Sequence, residues 1–408
     1  MIEKMIARPS CIRQLKALCG SRLIKIVTGP RGCGKTCLLQ LFREELRKEG
    51  VTDEQMLVYD LTRFDGLHLL DPDALHADIL KRKVRDRKTY VFIEEVQECH
   101  EFERLLAGLH QEEDIEIYAT CAGMNALFDD QTSCLAGLYE TIEMLPLSFA
   151  EFREAVKEDN SCPDREFNEY LQAGSYPECV QLRNDPEAVR RRRELLIDLM
   201  IYKDCGQKLR MKDSVQLKRM IGMLTACAGS PVSARSIARD LSAQDGIKKI
   251  SDVTVGKYLN ALTDCGMFVR CPSFDCLRKK EMTGRDKYYP TDPGIPAWLT
   301  GSPASNLESL LENVVFLELK RRHQFVWAGK VDDDEIDFVC RDGDEILYVQ
   351  VAASVMDENI LEREMRPFTK LRDRFPCCVL TMDCFGAGRV IDGVKIVNVV
   401  DWLLAEEV

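Results

Sequence analysis

Eight residues constrain this chain more than any others: Gly29-Pro30-Arg31-Gly32-Cys33-Gly34-Lys35-Thr36 fits G-x-x-x-x-G-K-[ST]. A β-rich run, Leu23 to Thr28, leads into it. A helical pattern, Lys35 to Lys48, follows, with apolar Leu38, Leu39, Leu41, Phe42 and Leu46. Strand, glycine loop and helix in that order build a cradle for phosphate. The glycines let backbone N–H groups turn inward with no Cβ in the way, and the helix start adds the positive end of its dipole. Gly29, Pro30, Arg31, Gly32, Cys33, Gly34, Lys35, Thr36 and Cys37 are therefore assigned to a nucleotide, ATP. Lys35 is expected at the β- and γ-phosphates and the Thr36 hydroxyl on Mg²⁺.

Such a loop needs an acidic strand end nearby. Tyr90-Val91-Phe92-Ile93-Glu94-Glu95 supplies one, an apolar run ending in two carboxylates. Glu94 is assigned to Mg²⁺ and Glu95 to the attacking water, so Glu95 and Lys35 are the candidate catalytic residues. Further strand patterns are Met56–Tyr59, Thr89–Ile93 and Ile115–Thr120. Thr120 ends the last, where its hydroxyl either faces the γ-phosphate or caps a turn. Strands alternating with helices predict a doubly wound parallel sheet over residues 1–155.

A chain of 408 residues is too long for one ordinary core. Residues 156–212 read as a helical lid. Over 213–300, helix patterns Val215–Ala228, Ser233–Leu241 and Val253–Cys265 precede strands Met267–Cys271 and Lys287–Tyr289, the order of a winged helix. Gly301-Ser302-Pro303 reads as a linker. Residues 301–408 open with a helix, Asn306–Arg322, then strands 324–328, 335–340 and 345–352, a helix, and strands near 377–382 and 394–399.

The net charge of −12 argues against the whole surface binding a polyanion. Arg278, Lys279, Lys280, Arg285 and Lys287 nevertheless make the wing basic, which suits contact with nucleic-acid phosphates rather than bases. The run Arg190 to Arg193 reads as a solvated helix face. The 18 cysteines form no CxxC pair and the five histidines no zinc pattern, so the thiols read as small core hydrophobes. No apolar run approaches the roughly 20 residues that span a bilayer, and residues 1–8 lack a leader's apolar stretch, so the expected location is the cytoplasm, with no membrane partner.

Several short stretches, in order, carry a family likeness. They are Arg8-Pro9, the phosphate loop, Glu94-Glu95-Val96-Gln97, Pro146-Leu147-Ser148-Phe149-Ala150-Glu151-Phe152 and Gly174 to Glu178. Lys287-Tyr288-Tyr289 with Asp292, Leu311-Glu312-Asn313, Glu335-Ile336-Asp337-Phe338 and Tyr348-Val349-Gln350-Val351 follow. The chain resembles the bacterial and archaeal AAA-type P-loop ATPases that carry a C-terminal domain of unknown function with a restriction-endonuclease-like, PD-(D/E)xK-type core. The resemblance implies an α/β multidomain fold: P-loop core, helical lid (156–212), winged helix (213–300) and nuclease-like domain (301–408).

This chain departs from the family at points that matter. Glu94-Glu95 stands where Asp-Glu is usual, Thr120-Cys121-Ala122 replaces Thr-Gly-Ser, and Leu135-Ala136-Gly137-Leu138 ends without the family's arginine. An arginine on γ-phosphate charge is worth several powers of ten in turnover. In the C-terminal domain the resemblance implies a metal site at Glu312, Asp337 and Gln350. The last is neutral and Ala352 replaces the lysine, so the site reads as degenerate and DNA cleavage is not expected. The leading reading is a Mg²⁺-dependent ATPase whose nucleotide state sets how lid, winged helix and nuclease-like domain dock. A nucleotide-gated switch with little hydrolysis and a DNA-binding or DNA-processing ATPase are the alternatives. A protein partner or self-association fits each of them.

Overall fold

The computed structural model describes residues 5–123, 134–157, 162–209, 214–243, 250–300, 306–385 and 388–405. The Gly301-Ser302-Pro303 linker lies outside them. The chain divides into two compact units, residues 1–146 with 264–266, and residues 147–263 with 267–408.

The first unit is built on five strands: β1 (Ile24–Gly29), β2 (Met56–Asp60), β3 (Thr89–Glu94), β4 (Ile115–Ala122) and β5 (Tyr139–Glu143). They lie in the order β2-β3-β4-β1-β5, every neighbour parallel. Both faces are covered, so β1 is buried along its whole length, Lys25 and Thr28 included. On one face Leu38, Leu39, Phe42 and Leu46 of the helix Lys35–Lys48 pack against Val27, Phe92 and Tyr118. On the other, Leu75 and Ile79 join Leu105, Leu106 and Leu109 over Ile26, Ile93 and Ala119. The four strands expected here form, and their C-terminal ends meet at the phosphate loop.

β5 is the strand that periodicity does not reveal. Its five residues, Tyr-Glu-Thr-Ile-Glu, bury only Ile142 fully, because an edge strand needs no continuous apolar run.

In the second unit the helix Phe149–Val156 precedes the stretch expected to be helical, within which lie Pro163–Ala173, Pro177–Gln181 and Pro186–Leu199. The first starts at a capping box, in which the Ser148 hydroxyl accepts from the Glu151 N–H and the Glu151 carboxylate from the Ser148 N–H. Helices Ser214–Ala226, Ala234–Ser242 and Asp252–Asp264 follow, then the hairpin β6 (Phe268–Asp275) and β7 (Lys280–Pro290).

After the helix Leu307–Arg322 come β8 (Phe325–Val331), β9 (Asp334–Asp342), β10 (Glu345–Ala352), the helix Glu358–Thr369, β11 (Cys377–Thr381), β12 (Val390–Ile391) and β13 (Val394–Asn398). All eight strands of the unit form one mixed sheet, β12-β13-β11-β10-β9-β8-β6-β7. β8, β9 and β10 are an antiparallel meander, and β10 and β11 pair in parallel. The hairpin is thus no free wing: Ser273–Asp275 of β6 pairs in parallel with Ala328–Lys330 of β8. Among the described residues no helix is long and apolar enough to cross a membrane.

Candidate functional site

The phosphate loop begins where β1 ends. Gly29 exchanges backbone hydrogen bonds with Gly123 beyond the end of β4, so the loop springs from the middle of the sheet. Gly34 caps the following helix at φ 104°, left-handed backbone that a side chain would strain. Arg8 is buried and donates to the Cys33 carbonyl (3.0 Å) and to the Leu145 carbonyl (2.6 Å), pinning the loop from behind. Cys33 points into the core under the loop, and burial raises its thiol pKa, so it is no nucleophile.

Lys35 is buried and donates to the carbonyls of Gly29 (3.1 Å) and Pro30 (3.3 Å), with Glu95 Oε1 3.6 Å away. The Thr36 hydroxyl donates to Glu94 Oε2 at 2.8 Å. Hydroxyl and carboxylate are the donor pair a P-loop offers Mg²⁺, and here they touch. Burial pushes the Glu94 carboxyl above the ordinary carboxylate range, against the Thr36 hydrogen bond, with the Asp60 and Glu95 charges adding to the rise. Cys37 is exposed on the first helical turn.

Glu95 sits just past β3 in left-handed backbone, φ 52°. Its N–H donates to the Thr120 hydroxyl (2.8 Å), so Thr120 braces the acidic strand end. Gln97 Nε2 donates to Glu95 Oε2 at 2.8 Å, and Gln97 Oε1 accepts from the Ala122 N–H at 3.4 Å. Gln97, Asp60, Arg43 and the pinning role of Arg8 were not assigned from sequence. Arg43 lies over the Phe92 ring, 5.8 Å from its centre, and its charge favours the Glu94 anion. Arg8 and Gln97 stood in the sequence only as landmarks of the family likeness, with no role assigned. Leu138, in the place of the family's arginine, packs against the core beneath the sheet.

In the second unit Gly174, at φ 80°, lies so close to Asp292 and Trp298 that a Cβ would collide with both. Asp292 is fully buried and accepts from the Ser175 hydroxyl (2.7 Å), the Ser175 N–H and the Gly294 N–H (2.7 Å), so this loop is a packing joint. The run Arg190–Arg193 is only half solvated. Arg190 and Arg191 face water beside Glu187, whereas Arg192 pairs with Glu178, and Arg193 donates to the Ala173 carbonyl and lies over Trp298.

The basic wing is partly consumed. Lys279 bonds Tyr348 and Asp373, Lys287 is buried, and Arg278, Lys280 and Arg285 remain exposed. At the expected degenerate site, Glu312 accepts from Lys287 (2.8 Å) and the Tyr289 hydroxyl (2.5 Å), both side chains. Asp337 accepts from the Val351 N–H (2.8 Å), and Gln350 accepts from the Asp337 N–H while donating to Glu364. Asp337 thus bonds neighbouring backbone, whereas Glu312 bonds side chains. Among the described residues no three carboxylate, imidazole or thiol groups are arranged to hold a metal ion.

The five-stranded parallel sheet and its loop lie in the stretch, residues 21–153, that matches the AAA domain family. Residues 164–306 match a domain of unknown function (DUF8612), which lies centrally, whereas the sequence resemblance placed such a domain at the C-terminus. An uncharacterised protein of Haemophilus influenzae is 29% identical over 409 residues, covering 99% of this chain and 100% of its own. The uncharacterised protein MJ1544 of Methanocaldococcus jannaschii is 25% identical, over 85% of this chain and 78% of its own. The solved Walker-type ATPase PABY2304 of Pyrococcus abyssi shares the fold at TM-score 0.50 and 18% identity, covering 73% of this chain and 97% of that one.

Proposed function

We propose that the chain binds ATP with Mg²⁺ at Gly29–Cys37 and hydrolyses it. The observation that carries the reading is the pairing of Thr36 with Glu94 beside that of Lys35 with Glu95, which supports a metal-holding pair and a water-directing acid where the end of β3 meets the helix Lys35–Lys48. Mg²⁺, held by Thr36 and Glu94, would neutralise charge on the β- and γ-phosphates. Lys35 exchanges its loop carbonyls for phosphate oxygens. Glu95, steadied by Gln97, takes the proton of a water whose oxygen bonds to the γ-phosphorus. The bond to the bridging oxygen breaks, leaving ADP and phosphate. Reduced thiols and ATP–Mg²⁺ together suit the cytoplasm.

Titration calorimetry and a phosphate-release assay test this. Wild type should bind ATP–Mg²⁺ and release phosphate. Lys35→Ala should lose about 10- to 100-fold in affinity, the scale of one or two charge-assisted hydrogen bonds. Wild-type heat no larger than that of the mutant would end the reading. A slow switch is the second reading, favoured by Leu138 standing where the family likeness implies an arginine, here packed on the core beside the N-terminal end of β1. Tight binding with release no faster than in Glu95→Gln would select it.

Within the second unit we read 156–212 as a lid, 213–300 as a winged helix and 301–408 as a nuclease-like module that does not cut DNA, their docking set by nucleotide state. The helix, the β8–β10 meander and the parallel β11 support the last assignment. Hydrogen exchange with and without ATP–Mg²⁺ tests the coupling. Nucleic-acid contact through Arg278, Lys280 and Arg285 is tested by a gel shift with all three reversed to Glu.

A further inference from the structure

A divalent metal implied at Glu312 and Asp337 does not fit the residues present. Lys287, near the end of β7, is 2% exposed. Its ammonium lies 2.8 Å from Glu312 Oε1, 4.0 Å from Asp337 Oδ1 and against Glu335 Oε1. Three carboxylates from the helix Leu307–Arg322 and from β9 thus surround one cation. Tyr289, on the same face of β7, shares Glu312 Oε1 with it. Gln350 brings no charge, its carboxamide being bonded to the Asp337 N–H and the Glu364 carboxylate. Ala352 is buried in the apolar cluster beneath.

We propose that Lys287 is the resident cation of this carboxylate site, standing where a divalent metal would be held and closing the site to Mg²⁺ and Mn²⁺. A second cation at that point would meet the buried ammonium with like charge. Glu312, Glu335 and Asp337 all face the ammonium, so the negative charge that would hold a metal is already paired. Asp337, the most distant of the three, is pushed well up by burial and by the Glu312 charge. Because Lys287 arrives on the β6–β7 hairpin, the lock also fastens that hairpin to the C-terminal sheet. This deepens the reading of a silent module. A metal count made without DNA fails separately from it: DNA cutting with no Mn²⁺ taken up through Asp337 would overturn that reading and leave this one standing.

The experiment is a Mn²⁺ titration of the full chain without nucleotide, followed by the paramagnetic resonance of free Mn²⁺ and by thermal melting. Wild type and Asp337→Asn should take up the same amount. Lys287→Met lets the three carboxylates close on a metal. It should gain one equivalent of Mn²⁺ and a melting temperature that rises with it, and Lys287→Met with Asp337→Asn should lose both. Wild-type uptake that falls in Asp337→Asn would overturn the proposal, as would folded Lys287→Met with no gain. Should Lys287→Met not fold, Lys287→Gln replaces it, and the comparison of wild type with Asp337→Asn decides by itself.

Discussion

Gln97 reaches Glu95 on one side and the end of β4 on the other, so it fixes where the carboxylate proposed to direct water points. Losing its bond to a charged group, worth about 1.5–3 kcal/mol, should lower kcat in Gln97→Ala by about 10- to 100-fold. KM for ATP should stay unchanged, because the hydrogen bonds of Gln97 go to Glu95 and the end of β4. Phosphate release measured across ATP concentration checks this. A raised KM with kcat intact would place Gln97 in binding instead. The loop residues were legible from sequence because their geometry is local: glycine spacing, lysine and helix start are contiguous. Gln97 was not, because its partners Glu95 and Ala122 meet only when β3 and β4 become neighbours.

Among the strands, β1 and β4 share a buried ion pair away from the loop. Lys25 Nζ lies 2.7 Å from Glu116 Oε1, both nearly inaccessible, and Lys88, Tyr118 and the Gly20 N–H also donate to Glu116. Burial draws the Lys25 ammonium below its ordinary value. Burial would raise Glu116, but two cations and two neutral donors outweigh it and hold the carboxyl below its ordinary value. Glu116 therefore stabilises the fold above the unfolded carboxyl pKa, and this contribution is lost as pH falls through the lower folded value. Glu116→Gln should cost about 3–5 kcal/mol at pH 7, since it leaves Lys25 buried without a counter-charge. The gap to wild type should shrink as the medium is acidified below the ordinary glutamate range. Urea melts at several pH values check it, and a gap that widens toward acid would reverse the assignment. Short β-rich runs, apolar but for residues such as Lys25 and Glu116, made β1 to β4 legible. β5 is a charged edge, and the first half of β7 is exposed and polar, so neither carried a pattern to read.

Over the whole chain, sequence order suggested a separate wing followed by a separate C-terminal domain, with a linker between them. The parallel pairing of β6 with β8 joins the two stretches in one sheet. Strand partners distant in sequence leave no periodic trace. The stretch matched as a domain of unknown function ends at residue 306, before β8 begins. A fragment stopped there should expose the bare N–H and C=O groups of β6 and aggregate. The chain continued to residue 405 should stay monodisperse in light scattering.

That shared sheet has an evolutionary corollary. A recombination event that lent the three helices and hairpin to another gene would carry an open seam with them. Those residues can be inherited only together with the hundred or so that follow, whatever the nucleotide domain upstream becomes.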